Sequence, residues 1–104
     1  MKKTITTTEL AGMLQAGNPV TLLDVRRKED YEKSPAGIAD TPWHDPSAVA
    51  EWIHTLTKQD AVVLYCVRGG SVSQSVQKQL ADAGFKAKYV EGGLEAYQKA
   101  VPNS

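Results

Sequence analysis

Residues 61–66, Ala-Val-Val-Leu-Tyr-Cys, are the most apolar run in the chain. A run with no polar residue on either alternating side reads as a strand covered on both faces, which demands a layer of helix above and below it. Val20-Thr21-Leu22-Leu23-Asp24-Val25 is a second such run, while Ile5 and Ala87-Lys88-Tyr89-Val90 mark shorter strands. The segments between them carry helix signals. Thr6-Thr7-Thr8-Glu9 has capping-box spacing, Leu10, Met13 and Leu14 recur at helical intervals, and Gly17-Asn18-Pro19 ends that helix. Lys28 to Lys33 is a short helix broken by Ser34-Pro35, and Ile38-Ala39-Asp40 is a brief third strand. Asp45-Pro46 fits an N-cap with proline in the first helical position, ahead of an apolar stripe of Val49, Trp52, Ile53 and Leu56. Ser71 to Ala83 is a helix with Val72, Val76, Leu80 and Ala83 on one face, stopped by Gly84. Gly92-Gly93 is a turn, and Leu94 to Ala100 is a final helix. Strands alternating with helices predict an α/β domain with a mostly parallel sheet.

Composition narrows the class. A length of 104 residues suits one domain spanning residues 1–104. Twelve basic residues balance twelve acidic ones, so no net field draws the chain to nucleic acid or an anionic membrane. No apolar stretch of signal-peptide or membrane-span length follows Lys2-Lys3, which predicts a cytoplasmic protein. One cysteine allows no internal disulfide. With only His44 and His54 beside it, no familiar zinc signature forms, and neither metal nor cofactor is expected.

The chemistry concentrates at Cys66. In open parallel sheets, ligands bind beyond the carboxyl ends of the strands, and Cys66 ends the most buried one. Val67-Arg68-Gly69-Gly70-Ser71 then leads into a helix. A loop entering a helix N-terminus gathers unpaired backbone N–H groups, and the helix dipole adds partial positive charge. The glycines let the backbone curl around a bound group, Ser71 is placed to cap the helix, and Arg68 adds a cation suited to an oxyanion. Free cysteines at strand ends are commonly inert small hydrophobes. The glycine turn, the arginine and the helix favour a reactive thiolate instead.

At this point the chain resembles the rhodanese family, over nearly its whole length. Leu23-Asp24-Val25-Arg26 resembles the family's Asp-x-Arg after its second strand, with Tyr31 as the aromatic that follows. Cys66 to Ser71 resembles the six-residue active-site loop, and Val90-Glu91-Gly92-Gly93 with Tyr97 resembles the closing Gly-Gly signature. Ala36 to Thr41 stands where the family usually has Gly-His-Ile-Pro-Gly-Ala, and Trp43-His44-Asp45-Pro46 matches a subgroup. The resemblance implies a three-layer α/β domain with a central five-stranded parallel sheet flanked by helices. It also implies a thiosulfate sulfurtransferase in which Cys66 takes sulfane sulfur as a persulfide and gives it to cyanide or a thiol. The donor would be bound by Val67, Arg68, Gly69, Gly70 and Ser71. A partner protein that donates or accepts persulfide sulfur is a further expectation.

Other residues weigh towards structure. Asp24 and Arg26 are expected to form an ion pair tying loops together, since partly buried charges usually pair. Trp43 either lines the pocket or packs in the core. Surface positions are expected for His44 and His54, and a packing role for Tyr97. A phosphatase of the same fold requires an arginine six residues after the cysteine, where Val72 stands. A persulfide carrier or a non-catalytic interaction module is the remaining alternative.

Overall fold

The computed structural model describes residues 3–35, 37–38 and 41–101. The strands are β1 (Thr4–Ile5), β2 (Val20–Asp24), β3 (Ala61–Tyr65) and β4 (Ala87–Val90). The helices are α1 (Thr7–Gln15), α2 (Lys28–Lys33), α3 (Val49–Trp52), α4 (Ser71–Asp82) and α5 (Gly93–Ala100). Among the described residues the sheet is four-stranded and parallel, in the order β1-β4-β3-β2.

Side-chain alternation along β3 divides the core. Val62 and Leu64 face one way, packing with Val49 of α3 and Val76 and Leu80 of α4. Val63 and Tyr65 face the other, packing with Leu10 of α1 and Leu94 and Tyr97 of α5. Period-two alternation in a strand buried on both sides thus builds three layers. At the start of α1, Thr6 and Glu9 exchange side-chain and backbone bonds, the reciprocal capping box the sequence indicates. No helix among the described residues is long and apolar enough to cross a membrane.

Three expectations are corrected between α2 and β3. Among the described residues the sheet has four strands, not five. The anticipated third strand at Ile38–Asp40 is not formed at Ile38, and Ala39 and Asp40 lie outside the described residues. Ile38 donates its N–H to the Tyr65 hydroxyl at 3.0 Å, and Thr41 donates its N–H back to the Ile38 carbonyl at 3.0 Å. Those bonds turn the segment on itself and use the groups a ladder would need, while Pro42 has no N–H to offer. The sheet edge beyond β2 is reduced to a single parallel bridge between Asp24 and Trp43, where His44 donates its N–H to the Asp24 carbonyl at 2.7 Å. Secondly, Asp45 caps a turn rather than a helix. Its carboxylate accepts from the Ser47 N–H at 2.9 Å and the Ser47 hydroxyl at 2.7 Å, and α3 starts only at Val49. Thirdly, the apolar stripe from Val49 to Leu56 lies on one α-helical turn followed by a 3-10 turn, Ile53–Thr55, not on one helix.

Tyr65 carries the link from β3 to this irregular segment. Its hydroxyl occupies the space a side chain at Gly37 would need. Burial, followed by the nearby Asp24 carboxylate, pushes its phenol up to about 12. Tyr65→Phe strands a buried N–H and is expected to cost about 1–3 kcal/mol, read as a lower urea midpoint at unchanged slope. The pH dependence has a defined sign. The folded phenol titrates at about 12 against 10.0 for the free group, so folding disfavours its ionisation. Stability is lost as pH rises from 10 towards 12, and the variant lacks that component.

Candidate active site

Cys66 follows β3 directly and is buried, with 6% of its surface exposed. It is a free cysteine. The chain then turns through Val67–Gly70 into α4. Gly70 holds the N-cap position, with φ −84° and ψ −149° and no side-chain cap bond. Ser71 is therefore the first helical residue and not the cap expected from the sequence. Among the described residues, no protein acceptor takes the amide N–H groups of Val67 through Ser73. At the helix these are the donors every α-helix leaves unpaired at its start.

The turn between β4 and α5 fixes the loop from beneath. Leu94 donates its N–H to the Cys66 carbonyl at 2.8 Å, and Glu95 donates to the Val67 carbonyl at 3.0 Å. In a planar trans peptide the next N–H points opposite to the carbonyl. Drawing the carbonyls of Cys66 and Val67 towards α5 therefore turns the amides of Val67 and Arg68 away from it. The approach is close because it is backbone against backbone. A Cβ on Gly93 would lie 2.5 Å from the Cys66 carbonyl oxygen and 2.7 Å from the nitrogens of Arg68 and Gly69. Gly93 also has φ +64°, in the left-handed region that favours glycine.

Cys66 opens on a cleft of about 380 Å³ walled by Arg27, Asp30, Arg68 and Ser71. Val67 and Gly70 complete the loop side of it, and Gly69 carries the left-handed turn between them at φ +69°. Arg68 is 79% exposed, and its Nε pairs with Glu95 at 3.2 Å, so its charge is balanced on the rim. The helix dipole of α4 and the unclaimed amides place positive potential around the sulfur.

Asp24 and Arg26 stand behind the cleft. Arg26 Nη2 meets Asp24 Oδ2 at 2.7 Å, and both side chains are sealed from solvent. Arg26 Nη1 donates to the Ser34 carbonyl at 2.7 Å, and Trp43 Nε1 donates to the Arg26 carbonyl at 2.8 Å. Tyr31 stacks on Trp43 with centroids 5.3 Å apart, and the Arg26 guanidinium lies 5.4 Å from the Tyr31 ring centre. Burial works against the Arg26 charge, but the hydrogen bonds and charge of Asp24 outweigh it and raise its pKa. The pair ties β2, α2 and the Trp43 segment into one wall. His44 packs edge-on against Trp52 at 4.9 Å, and Tyr97 is buried in the core beside α1. Arg27 and Asp30 are cleft residues that sequence reasoning missed. The signal was the Arg26-Arg27 pair, since neighbouring side chains on extended backbone face opposite ways.

A family model described as the rhodanese-like domain matches residues 6–100. YtwF of Bacillus subtilis (strain 168), whose name proposes a sulfurtransferase, is 34% identical over 96 residues, covering 92% of this chain and 90% of its own. The thiosulfate sulfurtransferase GlpE of Coxiella burnetii (strain RSA 493 / Nine Mile phase I) is 33% identical over 86 residues, 82% of this chain and 78% of its own. The crystal structure of a rhodanese-like domain protein from Staphylococcus aureus superposes with a TM-score of 0.81 at 29% identity, covering 93% of this chain and 91% of that one.

Two glycine substitutions test the packing beneath the loop. Gly93→Ala is expected to destabilise by about 2 kcal/mol or more, from left-handed strain and backbone overlap. Gly12→Ala in α1, where a Cβ meets nothing within 4 Å, should stabilise by about 0.5–1 kcal/mol. Equal unfolding midpoints for the two variants would contradict the close approach.

Proposed function

The chain belongs to the rhodanese-like domain family, and we propose that it is a single-domain sulfurtransferase that carries sulfane sulfur as a persulfide on Cys66. The observation that supports this reading most is the set of unclaimed amides from Val67 to Ser73 beside a lone cysteine in an open cleft. A structural cysteine needs no such setting. A sulfur that must hold negative charge does.

The reaction proceeds in two covalent steps. The Cys66 thiolate attacks the outer sulfur of thiosulfate, the new sulfur–sulfur bond forms, and sulfite leaves with the electron pair of the bond that breaks. Cys66 is then a persulfide anion. An acceptor takes the outer sulfur. Cyanide becomes thiocyanate, or a thiol becomes a hydropersulfide, and the Cys66 thiolate returns. The sulfur stays anionic before and after each transfer, so one cradle of amides serves both states. Val67, Arg68, Gly69, Gly70 and Ser71 form the donor's loop, while Asp24, Arg26 and Trp43 hold the wall behind it. Thiosulfate is the proposed donor and cyanide or a thiol the acceptor. A free cysteine suits work in a reducing cytoplasm.

Cys66→Ser is expected to abolish thiosulfate-to-cyanide transfer, by about 10³-fold or more, while its unfolding midpoint stays near that of the parent. Thiocyanate formation by the variant at the parental rate would overturn the assignment of the nucleophile.

A further inference from the structure

We propose that Arg27, rather than Arg68, is the cation that selects anionic substrates at Cys66, because it walls both the cleft that Cys66 opens on and the cleft adjoining it, and its side chain forms no ion pair among the described residues. This deepens the sulfur-transfer reading by naming the residue that recognises the oxyanion end of a substrate.

The placement follows from the strand ends. β2 and β3 pair in register up to Asp24 and Tyr65, so the residues just beyond each strand lie side by side. Arg26 turns inward to Asp24 and the Ser34 carbonyl. Arg27 follows on extended backbone, with φ −60° and ψ 149°, and faces the opposite way. It lines the Cys66 cleft of about 380 Å³. It also lines an adjoining cleft of about 410 Å³, with the hydroxyl residues Ser47, Ser71 and Ser75. Arg27 is thus a wall of both spaces.

Charge on the rim favours the same residue. Arg68 pairs with Glu95, whereas Arg27 forms no ion pair within 4.0 Å among the described residues. A guanidinium presents a planar fork that matches sulfonate and carboxylate oxygens, and one without a partner loses none when it takes a substrate. Asp30 lines the Cys66 cleft as well and opposes an anion there. The selectivity of the cleft is therefore the balance of Arg27 against Asp30, set against the dipole of α4. Because Arg27 is exposed, salt screens its pull.

The test compares Cys66 alkylation by anionic iodoacetate and neutral iodoacetamide at low ionic strength, so it needs no turnover. The ratio of the two rates should fall about threefold or more in Arg27→Gln, a shift of the size expected for one partly screened charge. It should fall less in Arg68→Gln and rise in Asp30→Asn. In steady state, Arg27→Gln should raise the thiosulfate KM more than it lowers kcat. A general loss of structure would expose the buried Cys66 and speed both reagents, which sets it apart from a fall in the ratio at an unchanged iodoacetamide rate. An unmoved ratio in Arg27→Gln, or a larger fall in Arg68→Gln, overturns the proposal. A ratio that falls in Arg27→Gln while the parent protein turns over no thiosulfate upholds Arg27 as the anion selector and defeats the sulfur-transfer reading instead.

Discussion

The site depends on one contact between two pieces of main chain. The turn at Gly92-Gly93 lies directly under the backbone of residues 66–69, with no room for a Cβ at Gly93. Every element around it serves that approach. β4 delivers the turn beside β3, Leu94 and Tyr97 anchor α5 in the core, and the first amides of α5 take the carbonyls of Cys66 and Val67. With the carbonyls committed below, the amides of Val67 and Arg68 are turned away from α5 and have no protein acceptor among the described residues. The free amides at the cleft thus follow from how a helix is docked, while Arg27, Asp30 and Arg68 set the charge of its walls.

The opposite wall is built by a buried charge pair. Removing Asp24 and Arg26 from water costs several kcal/mol per ion, so the pair is weak evidence for stability on its own. Its value lies in geometry. One guanidinium reaches β2 through Asp24, the end of α2 through Ser34, and Tyr31 through its ring face. The same turn of chain that buries Arg26 brings Arg27 out into the cleft. Structural and functional cations are adjacent in sequence because extended backbone separates them in space.

Much of this was legible in the residues. The apolar runs at 20–25 and 61–66, the Thr6–Glu9 capping box and the glycine stops gave the α/β order, because each is decided within a few residues. Cys66 at the end of the most buried strand followed from the same runs. The segment after Ser34 was not legible. Its conformation is set by Tyr65, 27 residues away from Ile38, and by Trp43 reaching the Arg26 carbonyl. Ser71 looked like a cap because serine favours that position, yet the neighbouring Gly70 adopts its backbone angles. The only local sign of Arg27 is the Arg26-Arg27 pair, which does not say what the second arginine faces. Its role emerges only when the ends of β2 and β3 are placed side by side.

The central claim is that the backbone cup at Cys66 holds an anionic sulfur and keeps a second one. Intact mass after incubation with thiosulfate and removal of excess reagent tests it most directly. The account predicts a gain of one sulfur atom, located on Cys66 and lost on adding a reductant. A protein of unchanged mass, or one whose added sulfur also appears in Cys66→Ser, would contradict it.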